Sequence, residues 1–275
     1  MRRKGMRRKG TLKRTAIGLA ALLLLGAALA AALSQRLELN HYTIASPKVG
    51  REIRLAVASD LHTSRYGEGQ SRLIQAVLDS GAEALLAPGD MADSVAELEG
   101  MRALVEGLNG LPVFYTTGNH ECASGDETQI KAALRALGVT VLEGQSVDFG
   151  EIRIAGTDDP QGLTRARWRE QIDACRADDE TFTLLLAHRP DRIESYSEGF
   201  DITVSGHAHG GQMRIPGLLP GLYAPNQGWF PSYTSGLYPA GEGWLLVSRG
   251  LARSAVPRLF NRPELAILHV VPLEN

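Results

Sequence analysis

The chain has 275 residues, 44% of them hydrophobic, which is enough to bury one sizeable core and favours a single α/β domain. Its 29 Lys and Arg and 31 Asp and Glu hide an asymmetry, because eight of the basic residues stand within residues 1–14, where no acidic residue occurs. The rest of the chain is therefore acidic and lacks the basic footprint of a nucleic-acid-binding protein, so we expect no nucleic-acid partner.

The N-terminal segment joins this basic stretch to an uncharged run, AIGLAALLLLGAALAAAL, at residues 16–33. A run of this length lies at the lower limit of a membrane-spanning helix, and flanking positive charge stays on the cytoplasmic side. We therefore expect a basic cytoplasmic N-terminus at 1–14, a single transmembrane anchor at 15–33, and a folded domain outside the cytoplasm. A cleaved secretion signal is the alternative, because small residues near the end of the run offer cleavage sites.

A linker leading into the domain is expected at residues 34–50, and one domain at residues 51–275. The pattern of REIRLAVASD predicts a strand. The pattern of SRLIQAVLDSG predicts a helix, since its apolar residues fall on one helical face and a glycine that stops a helix follows them. The same strand-then-helix pattern continues at residues 83–108 and 111–138. Further patterns predict short strands at 139–157, a helix at 164–177, and strands at 181–188, 200–207, 243–250 and 263–271. Such alternation indicates a layered α/β fold with its helices outside.

Side chains of the metal-ligand type follow five of these strands. SDLH supplies Asp60 and His62, PGD supplies Asp90, GNHE supplies Asn119 and His120, LAH supplies His188, and SGHAH supplies His207 and His209. Taken singly each has an ordinary explanation, since an aspartate after a strand is usually a helix cap or a turn former. In α/β sheets, however, ligands bind outside the carboxyl ends of the strands. Five such loops together therefore predict one shared metal site.

This series of motifs, ending in GHAHGGQ, resembles that of the calcineurin-like metallophosphoesterases over about residues 50–273. The resemblance implies a four-layer α/β/β/α sandwich of two mixed sheets flanked by helices, with a two-metal site at the strand ends. The later run LLVSRGLARSAVPRLFNRPE is similar to a membrane-anchored or secreted bacterial branch, which includes UDP-2,3-diacylglucosamine pyrophosphatases.

Matching the motifs residue by residue implies how the ligands are shared. One ion is held by Asp60, His62, Asp90 and His209, and the other by Asp90, Asn119, His188 and His207. The resemblance also implies that His120 is not a ligand but faces the scissile bond. Nitrogen and oxygen ligands without cysteine suit manganese, which we place first, or iron or zinc. The implied reaction is phosphoester hydrolysis of the phosphodiesterase type, with a metal-bridging hydroxide as the nucleophile.

The expected partner is a phosphate-containing small molecule or a lipid, with membrane contact through the N-terminal segment. A UDP-2,3-diacylglucosamine pyrophosphatase in lipid A synthesis is the alternative within the enzyme class. A non-enzymatic metal-binding scaffold is less favoured, because every ligand position of the motif series is filled.

Several other residues have smaller roles in this interpretation. Asp93 is expected to cap a helix, with a position behind the metal ligands as the alternative, and Arg65 and Arg249 are candidates for binding phosphate. Gly210 and Gly211 are expected to let the backbone bend without a side chain blocking the phosphate, and Gln212 to make a structural hydrogen bond.

Overall fold

Two six-stranded mixed sheets form the centre of the molecule in the computed structural model, which describes residues 2–176, 180–253 and 257–273, and side chains from residue 17 onward. The first sheet consists of β1 Glu38–Ser46, β2 Ile53–Val57, β3 Ala84–Pro88, β4 Val113–Thr116, β5 Thr140–Val141 and β14 Glu264–Pro272. The second consists of β6 Gln145–Phe149, β7 Ile152–Gly156, β8 Phe182–Leu186, β9 Ile202–Ser205, β12 Gly236–Ala240 and β13 Gly243–Val247. A small separate ribbon pairs β10 Tyr223–Ala224 with β11 Gly228–Trp229.

The strand order places the parallel strands at the centre of each sheet. The first sheet runs β1-β14-β2-β3-β4-β5, and only the β14–β2 pair is antiparallel. The second runs β12-β13-β9-β8-β7-β6, with antiparallel pairs only at its two edges. Neighbouring parallel strands end at the same edge of their sheet, so the loops that follow them lie side by side.

The helices are α1 Arg2–Ala32, α2 Ser71–Asp79, α3 Glu99–Gly107, α4 Asn119–Ser124, α5 Glu127–Ala136, α6 Arg165–Cys175 and α7 Ile193–Tyr196. Of these, α2, α3 and α5 cover the outer face of the first sheet, and α6 and α7 cover that of the second. One apolar cluster joins the first sheet to α2, α3 and α5, a second fills the space between the sheets, and a third joins the second sheet to α6 and α7. The expected four-layer α/β/β/α sandwich is therefore confirmed.

Strand β3 shows how the sequence produces these layers. All five of its residues are buried, because it has neighbours in the sheet and packed layers on both faces. Leu85 points into the cluster with the helices, whereas Leu86 points into the cluster between the sheets. This alternation is the period of two of a β-strand, and burial on both faces explains the unbroken apolar run.

The N-terminal segment differs from our expectation of a single membrane anchor at residues 15–33. That prediction is wrong, since no helix within the described part of the chain has both the length and the apolar character needed to cross a bilayer. The basic stretch 1–14 lies outside the residues whose side chains are described.

The segment 34–50, expected as a linker, contains the nine-residue strand β1. It forms one edge of the first sheet and pairs in parallel with β14, with Glu38 opposite Glu264. Its exposed and partly buried residues alternate, since an edge strand packs on one face only. The sequence ELNHYTIAS therefore carries too weak an apolar signal to be recognised as a strand.

Candidate metal centre

The loops after five parallel strands meet at one end of the sandwich and bring the predicted ligands together. The side chains form two groups whose ligand atoms lie within 4.8 Å of one another, namely Asp60, His62 and His209 in the first and Asp90, His188 and His207 in the second. Each group draws on both sheets, since the aspartates follow β2 and β3 whereas His188, His207 and His209 follow β8 and β9. The two histidines of SGHAH thus lie in different groups, as the motif series implied.

His188 is oriented by the backbone. Its Nδ1 lies 2.8 Å from the carbonyl oxygen of Pro88, and because a carbonyl only accepts, Nδ1 carries the hydrogen. Its Nε2, which lies 3.1 Å from Asp90 Oδ2, is then the nitrogen that can bind either a proton or a metal. A second hydrogen bond of this kind is the usual way in which a protein fixes the orientation of a metal-binding histidine.

His207 is oriented by a side chain that sequence reasoning missed. Its Nε2 lies 2.7 Å from Asn226 Oδ1, and the same oxygen accepts a hydrogen bond of 3.1 Å from Arg189. Arg189 is in turn held by a buried ion pair with Asp159, at 2.6 Å. Because the amide oxygen accepts, Nε2 of His207 carries the hydrogen and Nδ1 presents its lone pair.

The second group therefore has the arrangement of a cation site. Nδ1 of His207 and Nε2 of His188 face each other at 3.2 Å, so a cation, either a metal ion or a proton on His188, has to lie between their lone pairs. Oδ1 of Asn119, at the start of α4, is buried and has no hydrogen-bond partner among the described residues. Buried polar atoms are normally satisfied, so this unpaired oxygen fits a metal ligand.

Burial and charge set the protonation states of these groups when no metal is bound. Burial lowers the pKa of His207, and the neighbouring His188 lowers it further, to about 4, so the imidazole is neutral at pH 7. Burial also acts to lower the pKa of His188, but the Asp90 carboxylate outweighs it and raises that pKa to about 10. In the absence of metal a proton thus occupies part of the cation's place, beside an ionised Asp90.

The first group is built in a similar way. His62 Nδ1 lies 2.5 Å from Asp93 Oδ1, which leaves its Nε2 free to bind a metal. His209 Nε2 lies 3.8 Å from Asp60 Oδ1, and burial lowers the pKa of this imidazole to about 4. Asp60 also accepts the backbone N–H of His207 at 3.0 Å, which ties the two groups together.

Asp93 connects His62 to His120. Its Oδ1 lies 2.9 Å from Nδ1 of His120 as well, and the two imidazole rings are 4.6 Å apart. We expected Asp93 to cap a helix, but the short helical turn that follows, Val95–Glu97, has Ser94 at its N-cap and no side-chain cap. His120 is half-exposed and, together with His62 and His209, lines a cavity of about 270 Å³. It is therefore placed to meet a substrate.

The backbone at the ligands adopts a conformation that is rare for residues other than glycine. Five ligands have φ in the left-handed region, namely Asp60 at 53°, His62 at 48°, Asp90 at 54°, His207 at 65° and His209 at 46°. Each such residue costs on the order of 1–3 kcal/mol, and residues of this kind concentrate at functional sites. The surrounding packing must therefore hold the ligand loops in place.

Glycines allow the ligand loops to approach closely. A Cβ on Gly118 would lie 2.2 Å from Asp90 Oδ1, and one on Gly206 would lie 2.5 Å from Asp60 Oδ2. Gly210 and Gly211 do have positive φ, but the space that their side chains would take is filled by Asn261 and Gly221. They allow close packing behind the loop, whereas we expected them to leave room for phosphate.

Arg249 and Gln212 differ from our expectation, whereas Arg65 lines a neighbouring cavity that shares His62 with the one beside His120. Arg249 is engaged with Glu38 at 2.8 Å, and the cavity that contains His120 is lined by Arg253 rather than by Arg65 or Arg249. Gln212 also lines this cavity, and its buried Oε1 has no hydrogen-bond partner among the described residues, in place of the structural bond expected.

Glu121 is a positioning residue that the motif GNHE contained but that we did not single out. Its carboxylate is fully buried and accepts four backbone N–H groups, from Asp90, Met91, Ala92 and Gly118, at 2.7 to 3.2 Å. It thereby fixes the loop after β3 against the start of α4. Burial and the nearby Asp90 raise the pKa of Glu121 to about 7.

Replacing Glu121→Ala should destabilise the fold and weaken metal binding together. Four buried N–H groups would lose their acceptor, and each unsatisfied group costs about 1–3 kcal/mol, so we expect a loss of roughly 3 kcal/mol or more in the free energy of unfolding. Urea denaturation and metal analysis would measure the two effects. Glu194→Ala, at an exposed position on α7, is the matched control; equal stability of the two variants would contradict the role of Glu121.

Comparison with known proteins agrees with this geometry. A family model described as calcineurin-like phosphoesterase matches residues 53–211, which contain all the ligands described above. The chain belongs to this family. Members of the calcineurin-like phosphoesterases are hydrolases, and the phosphodiesterase YaeI of Escherichia coli is 32% identical over 168 residues, covering 58% of each chain.

Other relatives extend the similarity beyond the ligand motifs. An uncharacterized metallophosphoesterase of Aquifex aeolicus is 28% identical over 247 residues, covering 85% of this chain and 92% of the relative. This chain spans about half the length, 47%, of the Helicobacter pylori metallophosphoesterases that it matches. A solved protein of Thermus thermophilus shares the fold, with a TM-score of 0.50 and 11% identity over 72% of this chain and 90% of that one.

Proposed function

We propose that this calcineurin-like phosphoesterase uses two divalent ions, manganese foremost with iron or zinc as alternatives, to hydrolyse phosphodiesters. The observation that carries the proposal is the convergence of the ligand atoms of His188, His207 and the buried Asp90 within 4.8 Å. The unsatisfied oxygen of Asn119 supports it. The group of Asp60, His62 and His209 provides the second position. Asp90 lies beside both groups and is the ligand that the two ions would share.

Each ligand and its neighbours would have a defined task in the reaction. Divalent ions bound here would polarise a phosphoryl group and lower the pKa of water. His120, half-exposed in the cavity and hydrogen-bonded through Nδ1 to Asp93, would hold a proton at Nε2 for the departing oxygen. Asp93 keeps His120 and His62 in fixed orientations. Arg253, stacked over Tyr66 at 4.1 Å, would place a positive charge at the cavity wall.

The substrate we propose is a phosphodiester of a small molecule or a lipid, and not a nucleic acid. The cavity of about 270 Å³ beside His120 suits a small group, and the acidic composition of the domain disfavours nucleic acid. The name of the Escherichia coli relative supports a phosphodiesterase. The comparisons support neither the membrane-anchored branch nor a UDP-2,3-diacylglucosamine pyrophosphatase, and no described contact favours that substrate.

The test is hydrolysis of a substrate panel by the full chain after metal removal and reconstitution with Mn²⁺, Fe²⁺, Zn²⁺ or Mg²⁺. The panel contains a nitrophenyl phosphate monoester, a bis-nitrophenyl phosphodiester and UDP-2,3-diacylglucosamine. We expect turnover of the diester that depends on added metal and is highest with Mn²⁺. No diester turnover with any metal, or turnover that survives chelation, would refute the proposal.

A further inference from the structure

A second cavity, of about 520 Å³, lies between the end of α1 and the segment 214–220. Its polar lining includes the guanidinium-bearing residues Arg214, Arg249 and Arg262, and its apolar lining includes Ile215, Leu218 and Phe260. The volume is within the range of small-molecule sites. None of its described lining residues belongs to the metal groups or to the cavity beside His120.

The three arginines differ in their partners. Arg249 is held by Glu38 at 2.8 Å and Glu264 at 3.4 Å, and Arg262 donates to the carbonyl oxygens of Arg36 and Leu37. Arg214 makes no ion pair and no side-chain hydrogen bond within the described part of the protein, although it is partly buried. The cavity thus contains one positive charge that the protein leaves without a partner.

The nearby carboxylates are engaged by other groups: Glu38, which also lines the cavity, pairs with Arg249 and Arg262, and Glu264 attracts Arg214 only from a distance. Glu264 is fully buried and accepts hydrogen bonds from Asn40, Tyr42 and the backbone of Arg249. Burial and the positive charge of Arg249 lower the pKa of Arg214. An unpaired charge that is partly removed from water costs free energy, and an anion bound beside it would recover that cost.

Apolar side chains at the edge of the same cavity remain in contact with water. Leu218 is 79% exposed, Ile215 45% and Phe260 44%. They stand beside Arg214 and would be covered by an apolar chain attached to the anion. Burial of that chain would remove apolar surface from water and so strengthen binding.

We propose that this cavity binds an anionic amphiphile, with its phosphate or carboxylate group at Arg214 and its apolar chain against Ile215, Leu218 and Phe260. The site goes beyond the proposed hydrolase function, because it needs no metal and none of its lining residues is a metal ligand.

The experiment is calorimetric titration of the full, metal-loaded chain with dodecylphosphonate, whose carbon–phosphorus bond a phosphoesterase does not hydrolyse. We expect Arg214→Gln to weaken binding at least about tenfold, because a charge-assisted contact is lost, and Leu218→Ser to weaken it about threefold or more. Arg165→Gln, at an exposed position on α6, is the matched control and should leave binding unchanged. Inorganic phosphate and a nonionic dodecyl glycoside should each bind much more weakly than the phosphonate.

Equal affinity of wild type and Arg214→Gln would overturn the proposal, as would inorganic phosphate binding as tightly as the phosphonate. Loss of phosphonate binding in an Asp90→Ala chain would also overturn it, because binding would then belong to the metal centre. Arg214→Gln should keep its thermal midpoint and its diester turnover, since the change removes an unpaired charge remote from the ligands. Failure of the hydrolase function would appear as absent turnover with phosphonate binding intact.

Discussion

Asp90→Ala should empty both metal positions and abolish phosphodiester hydrolysis. The carboxylate contacts Nε2 of His188 at 3.1 Å through Oδ2 and accepts the backbone N–H of His120 at 2.9 Å through Oδ1, so its loss removes a ligand and releases the start of α4. We expect turnover to fall by at least about a thousandfold and bound metal to fall to background, because the ions themselves supply the main electrostatic stabilisation. Elemental analysis of the purified chain and diester turnover measure the two losses.

The control for Asp90→Ala is Asp148→Ala, which removes a carboxylate whose side chain is 71% exposed in β6. That variant should retain both its metal and its activity. Full activity of Asp90→Ala, or metal content equal to that of the control, would exclude a shared bridging ligand.

His120→Ala should separate catalysis from metal binding. The imidazole is 47% exposed and interacts with Asp93 at 2.9 Å, and we assign no metal to its free nitrogen. General acid catalysis contributes about 10²- to 10⁴-fold, so we expect turnover to fall by that factor while metal content stays at the wild-type level. The loss should be smaller for a diester with a nitrophenyl leaving group, which departs readily without a proton, than for one with an alkyl leaving group.

Two outcomes would contradict a role of His120 in the reaction. One is turnover of an alkyl diester within a few-fold of wild type, and the other is loss of metal equal to that of Asp90→Ala. His41→Ala, at an exposed position in β1, is the matched control for the loss of an imidazole, and it should affect neither readout.

The sequence was most informative where residue type and strand position coincided. Asp60, Asp90, His188 and His207 each follow an apolar strand, and parallel strands that end at one edge bring such residues together without further information. The continuous apolar runs of β3 and β8 likewise indicated strands buried on both faces. These features depend on local pattern and on a general property of parallel sheets, so they could be predicted.

The supporting residues depend on contacts between distant segments and could not be read from local pattern. Asn226 orients His207 across an intervening loop, and Glu121 accepts N–H groups from residues about thirty positions earlier in the chain. Asp93 matched the pattern of a helix cap because caps and hydrogen-bond acceptors for histidine use the same side chain. Strand β1 was missed because its partner, β14, lies more than 200 residues away.

The prediction of a membrane anchor was wrong for a different reason. A run of alanine, glycine and leucine after a basic stretch satisfies the charge rule, but length and mean hydropathy together decide whether a helix crosses a bilayer. The described part of α1 does not meet that combined requirement.

Because the ligands are divided between the two sheets, the metal centre would also affect the stability of the fold. Each proposed ion would be held from one side by loops of the first sheet and from the other by loops of the second, across the open end of the sandwich. The ions would then cross-link the two sheets, because the sheets could not separate at this end without breaking coordination bonds. Ligands that bind only the folded state stabilise it in proportion to their concentration. The metal concentration would consequently set the stability of the folded state, in addition to the catalytic activity.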